Sequence, residues 1–118
     1  MPHINLEYSS NIIEQDKKFS EELFPKIHKL LTDDLGANIN ACKSRALKFD
    51  DFYLANGSDK AFAFFEIKIL PGRTKEKIEN FSQNLLKLAQ NYFSSSLEKK
   101  NLAICVNIVE MDFYNKIN

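Results

Sequence analysis

The residues able to do chemistry in this 118-residue chain are few and fall into short local groups. Lys43 and Arg45 stand two apart in a stretch with strand-like alternation, so both project to the same side, together with Leu47 and Phe49. Arg73 sits in Gly72-Arg73-Thr74, where the apolar run Ile67-Lys68-Ile69-Leu70 passes through Pro71 into a helix start. Sixteen Lys and Arg balance sixteen Asp and Glu. That balance leaves no net field to gather nucleic acid or an anionic membrane around the whole molecule, so any anion site is local, and the cation pair on one strand face is its natural place.

Other reactive residue types carry less. Cys42 and Cys105 have no CxxC spacing and no companion His cluster, so ordinary semi-buried thiols are expected in place of a disulfide framework or a zinc site. His3 and His28 are isolated in sequence, and His28 falls on a helix pattern as a surface residue. Asp50 and Asp51, adjacent on a strand, would point to opposite faces and read better as a turn pair than as cooperating carboxylates. No metal and no cofactor are expected. No apolar run approaches a membrane span and no basic segment with an apolar stretch opens the chain, so a cytoplasmic protein is expected.

The elements that must position these residues follow from periodicity. Ile4, Leu6 and Tyr8 alternate with His3, Asn5 and Glu7, the period of a strand with one buried face. From about Asp16 the spacing changes to Phe19, Leu23, Ile27, Leu30 or Leu31, and Leu35, a helix stopped by Gly36; Pro25 kinks it or marks a late start. A polar turn at Asn38 to Asn40 leads to a strand over about Cys42 to Phe49. Asn56-Gly57 marks a turn, and Ala61 to Ile69 is an apolar, aromatic-rich strand. Thr74 caps a second helix with the stripe Ile78, Phe81, Leu85, Leu88 or Ala89, and Tyr92, closed by Ser94 to Ser96. Leu102 to Glu110 alternates as the last strand before a short polar tail.

Strand, helix, strand occurs twice, which predicts an α+β, two-layer fold from tandem βαβ units. Right-handed crossovers give a four-stranded mixed sheet with both helices on one face. A single domain over 1-118 is expected, with pseudo-repeats at about 2-58 and 59-118. Alternating apolar positions on such strands predict an apolar second sheet face that self-association would cover.

The strand, Gly72-Arg73-Thr74 and helix resemble the corresponding motif of the tautomerase superfamily. The Pro2-His3 start, Ser9 with Asn11-Ile12, Lys43-Ser44-Arg45, Ala61-Phe62 and Gly72-Arg73-Thr74 together, in this order over nearly the full length, resemble its two-repeat branch, the 5-carboxymethyl-2-hydroxymuconate isomerase family. The resemblance implies that Met1 is removed and that the free secondary amine of Pro2 is the catalytic base. A model α-amino group titrates at about 7.7 to 8.0, and desolvation or neighbouring cations lower that value, leaving a neutral base near pH 7.

By the same resemblance Arg73 binds a substrate carboxylate or oxyanion. Lys43 stands where the branch usually has an arginine, offering a point charge in place of a planar fork, and Arg45 shares its strand face. The implied substrate is a small anionic organic acid, an unsaturated 2-oxo or 2-hydroxy dicarboxylate such as 5-carboxymethyl-2-hydroxymuconate, and the implied assembly is a homotrimer with sites between subunits. One amine per chain is implied, because Ala63, roughly where the second repeat would carry its proline, is internal. A phenylpyruvate-type tautomerase and a non-catalytic trimeric binding protein of the same fold are the alternatives these residues leave open. The aromatics Phe49, Phe52, Tyr53, Phe62, Phe64 and Phe65 would serve as packing or as the wall of an apolar pocket.

Overall fold

The computed structural model describes residues 2–118. Four strands, β1 (His3–Ser9), β2 (Lys43–Phe49), β3 (Ala61–Ile69) and β4 (Leu102–Glu110), form one sheet in the order β2-β1-β3-β4. β1 pairs parallel with β2 and antiparallel with β3, and β3 pairs parallel with β4. Each parallel pair is joined through a helix, α1 (Phe24–Leu35) or α2 (Lys75–Tyr92), as a parallel connection requires.

The core lies between the helices and one face of the sheet. Ile4 and Leu6 of β1 and Ala63, Phe65 and Ile67 of β3 meet Ile27 and Leu31 of α1 and Phe81 and Leu85 of α2, all buried. Each apolar period expected from the sequence is therefore spent on this single layer. The opposite sheet face is divided: His3, Asn5, Lys43, Arg45, Glu66 and Lys68 make it charged and polar mainly where β1 and β2 begin, while Leu47, Phe62, Phe64, Ala103 and Cys105 make it apolar toward the other end. The apolar second face expected from periodicity is thus present over part of the sheet.

Pro25 marks a late start rather than a kink. A π-helical turn at Phe19–Leu23 precedes α1, and Pro25 sits in the first turn of that helix, where its missing N–H leaves no helical bond unmade. Gly36 ends α1 at φ 67°, with its N–H bonded to the Thr32 carbonyl, a left-handed cap that a side chain would strain. Thr74 caps α2 as expected, its hydroxyl accepting from the Lys77 N–H at 3.2 Å.

α2 ends at Tyr92, just before the serines expected to close it, but the helical layer continues. A further helix, α3 (Ser94–Lys100), follows directly. Ser96 is buried there, and the Asp16 carboxylate accepts from its N–H at 3.1 Å and its hydroxyl at 2.7 Å. A serine that can satisfy a buried carboxylate has a tertiary partner, and that bond overrides its tendency to break helices.

Candidate functional site

β1 and β2 begin, and antiparallel β3 ends, at one edge of the sheet, and this topology collects the candidate residues there. Pro2 is fully buried immediately before β1. Its carbonyl accepts from the Lys43 N–H at 3.1 Å, which fixes the first residue of β2 beside it. His3 lies between Lys43 on β2 and Lys68 on β3 in the strand register. Arg73 follows β3 in the turn to α2 and reaches the end of α1. Its Nε donates to the Leu35 carbonyl at 3.1 Å and its Nη1 to the Leu70 carbonyl at 3.0 Å. Pro2, Lys43, Arg45 and Arg73 are thus placed at or near the same end of the molecule. Met1, whose removal frees the Pro2 nitrogen, lies outside the described residues.

The cations are anchored by their own chain. The Lys43 ammonium donates to the Ala41 carbonyl at 3.4 Å, and the Arg45 Nη2 lies 3.1 Å from His3 Nδ1. Arg73 uses two of its five N–H donors on main-chain carbonyls, so part of its fork remains for an anion. These contacts hold three flexible side chains in place before any ligand arrives, which reduces the ordering cost of binding.

His3, isolated in the sequence, is the residue that periodicity undervalued. Its Nε2 lies 2.9 Å from the Tyr114 hydroxyl, and the two rings meet edge to face at 5.7 Å. The C-terminal segment reaches it because the Met111 N–H donates to the Ile69 carbonyl at 2.8 Å, carrying the chain past the end of β4 and across the sheet edge. Alternation along β1 signals that His3 faces the same side as Lys43 and Arg45, whereas nothing in the tail sequence marks Tyr114 as its partner.

The remaining singled-out residues have structural surroundings. Ser9 is buried and its hydroxyl accepts from the Phe62 N–H at 2.9 Å, while the Asn11 amide donates to the Lys60 carbonyl at 2.8 Å. Both tie the far end of β1 to the start of β3. Phe49 and Phe52 pack around Phe62 at that far end, with ring centres 6.2 and 6.3 Å apart, and Phe65 is in the core. Within one chain Phe49, Phe52 and Phe62 thus sit at the end of β1 opposite Pro2. Ala63 lies within β3, two residues beyond its first residue, Ala61. Cys42 is half-buried and burial pushes its thiol up, but Cys105 is exposed on the sheet face away from the helices.

His28 is partly buried rather than a free surface residue, with its Nε2 2.6 Å from the Ser44 hydroxyl. Burial holds His28 below its ordinary value of 6.5, and His3 is held down first by burial and then by Arg45 and Lys43. The unfolded chain therefore takes up protons near 6.5 that the folded chain refuses. Their contribution to stability is intact above that value and declines as pH falls through the lowered folded values. The urea midpoint is expected to drop between about pH 7 and about pH 5, and less steeply in His28→Gln. An identical slope in the variant would remove His28 from this account.

A two-layer fold of paired βαβ units, with the candidate residues gathered where the first strand begins, defines the class as the tautomerase superfamily. The solved 5-carboxymethyl-2-hydroxymuconate isomerase from Deinococcus radiodurans R1 superposes with a TM-score of 0.75 at 21% identity, covering 99% of this chain and 90% of that one. A fused 4-OT described as a symmetric trimer superposes at 0.67 with 17% identity, covering 92% and 86%. The model of the 5-carboxymethyl-2-hydroxymuconate isomerase family matches residues 2–118, and the chain belongs to that family. The 5-carboxymethyl-2-hydroxymuconate Delta-isomerase of Escherichia coli is 29% identical over 112 residues, covering 94% of this chain and 87% of that protein. The chain is accordingly an isomerase. Among the described residues no helix is long and apolar enough to cross a membrane.

Proposed function

We propose that this isomerase moves a proton within a small unsaturated 2-oxo or 2-hydroxy di- or tricarboxylate of the 5-carboxymethyl-2-hydroxymuconate type, with the Pro2 amine as general base. The observation that carries this reading is the burial of Pro2 at the sheet edge where Lys43 and the Gly72-Arg73 turn are also found. Burial and adjacent cations both disfavour an ammonium ion at that point, which keeps a secondary amine unprotonated and basic.

The amine lone pair takes the proton of the 2-hydroxyl group of the dienol, or of the carbon adjacent to the carbonyl in the 2-oxo form, and the electrons of the broken bond pass into a dienolate. Arg73, with Lys43 and Arg45, stabilises the oxyanion and holds the carboxylates, because these groups carry the charge that grows in the transition state. The pyrrolidinium then returns the proton at the other end of the conjugated system, so atoms and charge balance without an oxidant or cofactor. A homotrimer is part of the proposal, supported by the trimeric state given for the fused 4-OT. Parallel assays test the substrate class: turnover of an unsaturated 2-hydroxy dicarboxylate should exceed that of enol-phenylpyruvate in kcat/KM by tenfold or more, about 1.4 kcal/mol. A preference for phenylpyruvate would replace the dicarboxylate with an aromatic monocarboxylate.

A further inference from the structure

A concavity of about 430 Å³ lies under the C-terminal segment, lined by His3, Arg45, Lys68, Asp112 and Tyr114 among others. Its hydrogen bonds have a fixed direction. Arginine is a donor only, so His3 Nδ1 must be the acceptor of the 3.1 Å contact with Arg45. The neutral ring then carries its proton on Nε2 and donates it to the Tyr114 oxygen at 2.9 Å. With its oxygen occupied as an acceptor, Tyr114 keeps its own O–H free to donate. The forces on His3 agree with a neutral ring, since burial, Arg45, Lys43 and Lys68 all oppose its protonation.

We propose that Tyr114, Arg45 and Lys68 form an anion subsite in this cleft that takes the second carboxylate of a dicarboxylate ligand. His3 is its positioning residue, passing the donor direction from Arg45 to Tyr114. Arg45 spends one donor on His3, and Lys68 has a loose ion pair with Glu66 at 3.7 Å, so both retain N–H groups for a ligand. Asp112 on the rim and Glu66 beside Lys68 oppose anions there, so the two cations offset them and the free Tyr114 O–H is the donor that tips the balance toward a carboxylate. Arg45 lies on the same strand face as Lys43, the residue whose main-chain N–H is bonded to the Pro2 carbonyl, so the cleft is on the side of the sheet that Lys43 also faces. The choice of a dicarboxylate rests on the function proposed above; the donor geometry does not.

Fumarate and crotonate, which differ by a carboxylate in place of a methyl group, separate the contributions when titrated by NMR into wild type, Tyr114→Phe, His3→Gln and His3→Leu. Fumarate should bind more tightly than crotonate to wild type. Tyr114→Phe should weaken fumarate about tenfold, one charge-assisted hydrogen bond, while leaving crotonate within about twofold. His3→Gln should restore most of the fumarate preference that His3→Leu loses, because glutamine can accept from Arg45 and donate to Tyr114; a purely packing role would not give that rescue. Equal losses for both ligands in Tyr114→Phe, or equal binding of both to wild type, would overturn the subsite. The same titration in Pro2→Ala keeps the two ideas apart, since fumarate binding that depends on Tyr114 there supports the subsite whether or not the wild type isomerises anything.

Discussion

Protein that retains Met1 is expected to lose about 10²- to 10⁴-fold in kcat relative to the processed chain, the usual worth of a positioned general base. With Met1 in place the Pro2 nitrogen is a tertiary amide whose lone pair is delocalised into the carbonyl, so it cannot accept a proton from carbon. The contrast is sharper than a side-chain truncation because the two preparations differ only before β1. Pro2→Ala is the milder variant: it leaves a primary amine, still basic but free to rotate, and should lie between the two. Intact mass identifies the forms, and ketonisation of an enolised 2-oxo acid reads the rate. Full turnover by Met1-retaining protein would remove the amine from the mechanism. It would also favour a different catalytic group at the same edge.

The strand positions were legible because they depend on local alternation. Ala61–Ile69 and Leu102–Glu110 have the bounds that period two predicts, and Lys43 and Arg45 share the face that their spacing assigns. The second helix and its Thr74 cap were legible for the same reason, a short-range hydrogen bond written within four residues. What depends on distant partners was hidden. Ser94 to Ser96 reads as a helix end until Asp16, 80 positions away from Ser96, supplies the bond that makes a buried serine acceptable. The pairing of His3 with Tyr114 spans 111 positions and needs the tail to turn back over the sheet edge, for which a polar C-terminus gives no local signal. The second sheet face was legible in part. Leu47, Phe62, Phe64 and Cys105 make it apolar at one end, while the intervening residues His3, Lys43, Arg45, Glu66 and Lys68 make it charged at the other.

Arg73→Ala is expected to reduce kcat/KM by about 10²- to 10³-fold, comparable to removing one donor from an oxyanion site. The geometry gives this residue two tasks. Its Nε and Nη1 bonds tie the turn before α2 to the end of α1 and to the end of β3, and three N–H donors remain for the proposed chemistry. Truncation should therefore lower thermal stability as well, by about 1 to 3 kcal/mol for lost bonds to a charged donor, and activity must be measured where circular dichroism shows the variant folded. Arg73→Lys separates the tasks. Lysine keeps the charge but cannot donate along two fixed directions at once, so it should recover anion affinity, seen as KM near wild type, without recovering kcat. That split follows only if the planar fork acts on the transition state more than on the bound substrate. Should the folded alanine variant keep kcat/KM within about threefold, well short of the loss of an oxyanion donor, Arg73 would be a structural clamp. Lys43 and Arg45 would then be the cations left to hold the substrate.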